Sequence, residues 1–134
     1  MIVVDTNVMA YLWLPCPDTA AAQRLLELDG EWCAPLLWRS EFRNVLAGIV
    51  RRGAMSVESA RRTAEDAEAQ MRGHEYAVDT GAVLTAAATS RCSAYDCEFA
   101  VLAQALGVPL ATADREVLRA FPNVARAPAS FSPR

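Results

Sequence analysis

The chain has 134 residues, which is enough for one domain with one hydrophobic core and too few for two ordinary domains. A hydrophobic fraction of 53% excludes a disordered protein, and a net charge of -3 does not favour simple electrostatic capture of nucleic acid. All 13 basic residues are arginines, because the sequence contains no lysine. Walker-A ATPases and Schiff-base enzymes, which need a lysine, are therefore excluded.

In the first third of the chain, the β-branched run Ile2-Val3-Val4 predicts a strand that is buried on both faces. A short helix capped by Thr6 or Asn7 then reaches Leu14, where Pro15 and Pro17 end it. The elements predicted next are a helix from Asp18 to Gly30, a strand over residues 31–34 and a helix over residues 38–52.

The remaining elements continue the alternation of helices and strands. They are helices over residues 56–73, 81–88 and 93–107, a strand over 108–111, a helix over 114–121 and a strand from Val124. Alternation of this kind predicts an α/β fold, a three-layer sandwich with a mainly parallel sheet flanked by helices. We expect residues 1–134 to form a single domain, with the Pro/Ser-rich residues 127–134 as a loosely ordered tail.

The cysteines and the N-terminus predict a cytoplasmic protein. The four cysteines form no C-x-x-C pair, so reduced thiols are expected. Asp5 interrupts the first apolar run and no basic segment precedes it, so no signal peptide is expected. No apolar stretch approaches the ~20 residues that span a bilayer, so we expect no membrane partner.

Four acidic residues lie at the ends of predicted elements. Asp5 and Asp114 follow buried strands, and Glu41 and Asp96 lie in the first turns of helices. Each has a structural alternative, because Asp5, Asp96 and Asp114 suit helix caps and Glu41 suits a helix N-terminus. Sites in open α/β sheets gather beyond the carboxyl ends of strands, where four like charges would repel one another unless a cation binds.

These acids lie in segments that resemble the motifs of a known family. The segments are Val3-Val4-Asp5-Thr6-Asn7, Glu41, Tyr95-Asp96-Cys97-Glu98-Phe99-Ala100-Val101-Leu102-Ala103 and Leu110-Ala111-Thr112-Ala113-Asp114. In this order, from residue 2 to about 126, they resemble PIN-domain ribonucleases, and above all bacterial VapC-type toxins of toxin–antitoxin pairs. The resemblance implies a four- or five-stranded parallel sheet, metal-dependent cleavage of RNA, a homodimer and a cognate VapB-like antitoxin.

The resemblance also assigns residues to the site. It makes Asp5, Glu41, Asp96 and Asp114 a catalytic, metal-binding quartet, with polar support from Thr6, Asn7 and Thr112. Mg²⁺, for which Mn²⁺ can substitute, prefers oxygen ligands and keeps several waters. We therefore expect direct ligation by Asp5 and Asp96, while Glu41 and Asp114 either bind the ion through water or orient the attacking water and a second ion. Such a site needs no histidine, in keeping with a chain whose only histidine is His74.

Two other functions compete with a metal-dependent endoribonuclease. One is a catalytically inactive PIN-like module that binds RNA or protein, which the four intact acids disfavour. The other is a phosphohydrolase of the haloacid-dehalogenase kind, which would need an aspartate where Asn7 stands and a downstream lysine.

Several side chains near the quartet have more than one interpretation. Arg39, Arg43 and Arg115 receive RNA phosphates, pair with neighbouring acids or are simply solvated charges on helix surfaces. Glu98 is interpreted as a salt-bridge partner more readily than as part of the metal site. Three tryptophans suit core or dimer-interface packing better than base stacking, namely Trp13, Trp32 and Trp38.

Overall fold

The computed structural model describes residues 1–133, in which five short strands form one sheet. The strands are β1 Ile2–Val4, β2 Trp32–Pro35, β3 Glu75–Tyr76, β4 Leu110–Ala111 and β5 Ala125–Arg126. All neighbours pair in parallel, in the order β3-β2-β1-β4-β5. Helices on its two faces complete the predicted three-layer α/β sandwich, which the structure confirms.

Seven α-helices connect the strands. They are α1 Thr6–Trp13, α2 Thr19–Leu28, α3 Leu37–Arg51, α4 Val57–Met71, α5 Thr80–Ala88, α6 Ala94–Leu106 and α7 Arg115–Ala120. In the C-terminal tail, Pro128–Ser130 form a 3₁₀ turn that contacts α2. None of the helices within residues 1–133 is both long enough and apolar enough to cross a membrane.

The centre of the sheet is the core of the molecule. The side chains of Val3 and Val4 in β1, and of Leu110 and Ala111 in β4, are fully buried. Val3 pairs with Cys33 of β2 on one side and with Leu110 of β4 on the other. Continuous apolar sequence is therefore required in these strands, since both of their faces are covered by helices.

The tryptophans and cysteines belong mainly to this interior. Trp32 and Trp38 are fully buried, and the Trp38 ring packs against Phe42 with 5.7 Å between the ring centres. Core packing is thus confirmed for these two, and neither is available to a dimer interface. Trp13 is partly buried and donates a hydrogen bond to Gln70 Oε1 at 2.7 Å. All four cysteines are free thiols, as predicted.

The start of α1 differs from the sequence prediction. Its N-cap is Asp5, whose Oδ1 accepts the Val8 N–H at 2.9 Å, and Thr6 and Asn7 are the first helical residues. The prediction of a Thr6 or Asn7 cap was wrong because β1 runs directly into the helix, so the first extended residue with a side-chain acceptor is Asp5.

Two further differences concern α3 and the sheet edge. The α3 helix begins at Leu37, so Glu41 lies in its second turn instead of its first. Edge strand β3 was not predicted, because Glu75–Tyr76 is too short to show an alternating apolar pattern.

Glu75 ties this edge strand to the start of α3. Its carboxylate accepts the Trp38 Nε1–H at 2.8 Å and two guanidinium N–H groups of Arg39 at 2.6 and 2.7 Å. Its side chain is 10% exposed, and the Arg39 guanidinium holds its pKa below the ordinary value. The α3 N-terminus has no side-chain cap, so this cluster fixes the turn that precedes Glu41.

We expect Glu75→Ala to destabilise the protein by about 2–3 kcal/mol, because it strands a partly buried guanidinium and an indole N–H. Glu58→Ala is the matched control, since it removes an acid that also bonds an arginine, Arg61, but at an exposed position. Urea unfolding of both variants measures the difference. Equal, small losses would show that the Glu75 cluster has no special structural role.

Candidate active site

The site lies where the strand order reverses. Connections from β1 lead to β2 on one side, and β4 lies on the other, so the carboxyl ends of β1 and β4 border the switch point where ligands bind in open α/β sheets. A cavity of about 420 Å³ opens there. It is lined by all seven residues predicted for the site, namely Asp5, Thr6, Asn7, Glu41, Asp96, Thr112 and Asp114.

Thr112 links the ends of the two central strands. Its buried hydroxyl donates a short hydrogen bond to Asp5 Oδ2 and accepts the Asp114 N–H at 3.0 Å. The Asp5 backbone N–H also donates to the Ala111 carbonyl, at 3.1 Å. The carboxylates that end β1 and β4 are therefore held in a fixed relation by one hydroxyl group.

Asp5 and Asp114 are both helix caps and cavity residues. Oδ1 of Asp114 accepts the N–H groups of Glu116 and Val117 at 2.8 and 3.0 Å at the start of α7. The capping alternative is thus real for both acids, but each carboxylate has a further oxygen or lone pair beyond the capping bond. Capping and lining the cavity are compatible here.

Glu41 is oriented by Thr6. The Thr6 hydroxyl, which is 7% exposed, donates to Glu41 Oε1 at 2.8 Å. This bond joins the first turn of α1 to the second turn of α3 at the cavity wall. Asn7 lines the same cavity with an exposed side chain.

Burial and mutual repulsion raise the pKa of three of the four acids. Burial raises the pKa of Asp5 to about 6, against hydrogen bonds from Thr112 and Val8 that lower it, and the charges of Asp114 and Glu41 add to the rise. Burial also raises the pKa of Asp96, with a further contribution from Asp114. For Glu41 the causes of its raised pKa are burial and the charges of Asp96 and Glu98. The cluster is electrostatically strained when it is fully ionised.

Glu98 differs from its sequence interpretation. No ion pair involves Glu98 in the described part of the chain, and burial raises its pKa. Its charge raises the pKa of Glu41 instead, so it borders the acidic cluster from α6. The salt-bridge interpretation was wrong, and the arginines of α3, Arg39 and Arg43, are held by other acids.

Those arginines leave the cluster without a cationic partner. Arg39 pairs with Glu75 and, at 3.6 Å, with Glu68, and Arg43 pairs with Glu68 at 3.1 Å. The alternative that these arginines bind neighbouring acids is thereby confirmed. Among residues 1–133, no ion pair involves Asp5, Glu41, Asp96 or Asp114.

The donor set fits a hard divalent cation. Every candidate donor is an oxygen, from four carboxylates and the Asn7 amide. Across the described residues, however, no three Asp, Glu, His or Cys side chains are close enough together to enclose an ion directly. Mg²⁺ keeps several waters in proteins and takes only one or two direct carboxylates.

Sequence reasoning missed three polar residues at the rim of the cavity. They are Ser40 and Asn44 of α3 and Tyr95 of α6, all exposed. Helical spacing supplied a signal, because Asn44 lies three residues after Glu41 and therefore on the same face. For Tyr95 the signal was its position directly before Asp96.

The fold agrees with comparisons to known proteins. The PIN domain family model matches residues 2–126, so this chain belongs to the PIN domain family, as the sequence motifs indicated. Among curated proteins, none matches significantly.

Solved structures share the fold at low identity. FitAcB from Neisseria gonorrhoeae is 16% identical, with a TM-score of 0.76 over 98% of this chain and 100% of that one. FitAB bound to the IR36 DNA fragment is 18% identical, with a TM-score of 0.73 over 98% of each chain. PAE2754 from Pyrobaculum aerophilum is 21% identical, with a TM-score of 0.74 over 92% of this chain and 81% of that one.

We expect Asp96→Asn to stabilise the metal-free protein by about 1 kcal/mol at pH 8 and to leave it unchanged at pH 3.5. A pKa that is raised in the folded state makes a contribution that is favourable at low pH and is lost as pH rises through that pKa. Replacing the Asp96 carboxylate therefore increases the free energy of unfolding only at a pH where the carboxylate would be ionised. Thermal or urea unfolding at both pH values measures this effect.

Asp66→Asn on the exposed face of α4 is the matched control, since it also removes one negative charge. A loss of stability in Asp96→Asn alone would contradict the strain argument. It would show that the carboxylate stabilises the start of α6 as half of a capping box with Ser93.

Proposed function

We propose that the protein is a metal-dependent endoribonuclease that acts as the toxin of a toxin–antitoxin pair in the cytoplasm. The observation that carries this proposal is the meeting of Asp5, Glu41, Asp96 and Asp114 at the switch point of the sheet without a cationic partner. PIN domains are generally nucleases, and the motifs of this chain resemble those of VapC-type toxins. RNA as the substrate follows from that resemblance.

The proposed site residues have distinct roles. Asp5 and Asp96 would hold Mg²⁺ or Mn²⁺ directly, while Glu41 and Asp114 would orient water molecules, including the water that attacks the phosphodiester. A bound divalent cation supplies charge neutralisation at the phosphate and a lowered pKa for water. Thr112 and Thr6 fix Asp5 and Glu41 by the hydrogen bonds described above, so that neither carboxylate needs to reorient when substrate binds.

We expect purified protein to cleave RNA in Mg²⁺ or Mn²⁺ and to stop in EDTA. Asp5→Asn and Asp96→Asn should each lower cleavage by at least about 100-fold, because a neutral amide is a poor ligand for these ions. The control is His74→Ala, which removes the only histidine of the chain. His74 does not line the cavity, so this variant should cleave RNA at the wild-type rate. A gel assay with labelled RNA measures cleavage by the wild type with metal and in EDTA, and by each of the three variants with metal.

Two results would overturn the mechanism. Undiminished cleavage in EDTA would exclude the metal, and loss of cleavage in His74→Ala would point to a histidine-based nuclease. Metal-dependent stabilisation and RNA binding without any cleavage would favour the alternative, an inactive PIN-like binding module.

A cognate antitoxin is the proposed protein partner. The acidic cavity is open and negatively charged, so an extended antitoxin segment that carries arginine or lysine complements it where metal or substrate would bind. The antitoxin resembles VapB in this proposal. Inhibition then follows from occupation of the carboxylates.

A homodimer is the proposed assembly. Between α3 and α4 lies an open apolar groove of about 520 Å³, whose lining includes Leu46, Val50 and Val57. Val57 is 71% exposed, which is unusual for a β-branched apolar residue beside other apolar side chains. A second copy packed on this groove would bury it.

We expect a dimer by light scattering at tens of micromolar protein. Val57→Asp places a charge in the groove and should shift the protein to monomer, while Leu84→Asp, at a similarly exposed apolar position of α5, should not. A monomeric wild type would contradict the assembly, and equal effects of both variants would move the interface elsewhere.

A further inference from the structure

Tyr95 is an exposed aromatic side chain at the mouth of the acidic cavity. Tyr95 is 63% exposed, and the other exposed large hydrophobic residues within residues 1–133 are Leu36, Val57 and Leu84, none of them aromatic. A single exposed apolar residue needs no explanation by itself. Tyr95 differs because it lines the same cavity as the four carboxylates.

The backbone beneath the ring is fixed. Tyr95 is the second residue of α6, and the helix N-terminus is capped by Ser93, whose Oγ accepts the Asp96 N–H at 3.1 Å. One turn later on the same side of the helix, Phe99 lines the cavity and is only 3% exposed. Tyr95 therefore presents its ring from a rigid element next to Asp96, while Phe99 forms apolar floor below it.

Other elements that line the cavity offer hydrogen-bonding groups without partners in the described chain. Asn7 of α1 and Ser40 and Asn44 of α3 line the cavity and are exposed, and their side chains form no hydrogen bond within the described chain. An exposed aromatic ring together with free amide and hydroxyl groups around one cavity is the combination that binds an unpaired nucleotide. The ring stacks on the base, and the polar groups reach its edges and the ribose.

We propose that Tyr95 stacks on an unpaired base next to the scissile phosphate of the bound RNA. The inference rests on the proposed nuclease function and adds a specificity-determining residue to it. A base held in a duplex cannot present its face to this ring, so paired RNA is excluded at that position.

The test is a coupling experiment between protein and RNA. The protein side uses Tyr95→Ala, Tyr95→Phe and the control Leu84→Ala, which truncates a comparably exposed apolar side chain on α5. The RNA side uses a fluorescein-labelled single-stranded oligonucleotide that wild type cleaves, and a series in which each position near the cut is abasic. Binding is measured by anisotropy in the Asp5→Asn background with Mg²⁺, so that the RNA stays intact.

We expect Tyr95→Ala to weaken binding by about tenfold and Tyr95→Phe and Leu84→Ala to change it by less than about twofold. One abasic position should weaken binding to a protein that retains Tyr95 by a similar factor. The same abasic position should not weaken RNA binding by the Tyr95→Ala protein, because the ring that stacks on the base is already missing.

Two failures are distinguishable. Normal binding and cleavage by Tyr95→Ala, or abasic penalties that are identical with and without the tyrosine at every position, overturn the role of Tyr95 and leave the nuclease standing. Absence of both RNA binding and RNA cleavage with Tyr95 in place overturns the nuclease and the inference together.

Discussion

The central constraint on this structure is that it brings together carboxylates that repel one another, at the carboxyl ends of β1 and β4. Asp5, Glu41, Asp96 and Asp114 come from four separate segments and line one cavity, and two arginines of α3, Arg39 and Arg43, are paired with other acids. Burial raises the pKa of Asp5 to about 6, so full ionisation near neutral pH costs stability. A protein keeps such an arrangement when function requires it, and a divalent cation is the simplest species that relieves it.

Helix caps and side-chain hydrogen bonds hold these charged groups together. Asp5 and Asp114 cap α1 and α7, and Thr112 bridges the two carboxylate segments with a single hydroxyl. On the far side, Glu75 anchors the start of α3, the helix that carries Glu41. Structural and chemical roles are therefore shared by the same residues, which is why a helix-cap interpretation of an acid did not exclude a place in the site.

Sequence reasoning succeeded where local pattern and long-range position coincide. The apolar run at β1, the Ser93 cap and the terminal Gly107 of α6, with its positive φ of 67°, were all readable because each is a local requirement. Edge strand β3 was missed, because two residues carry no period and their pairing to β2 is decided by the fold. Glu98 was misjudged for the same reason, since only the tertiary fold shows that its charge acts on Glu41.

The most direct test of the central claim is the position of a bound ion. Crystals of the protein grown or soaked with Mn²⁺ give an anomalous difference map at a wavelength where manganese scatters strongly. The account predicts a peak in the acidic cavity, in direct contact with Asp5 and Asp96 and linked through water to Glu41 and Asp114. An empty cavity at saturating Mn²⁺, with the four carboxylates accessible, would contradict it.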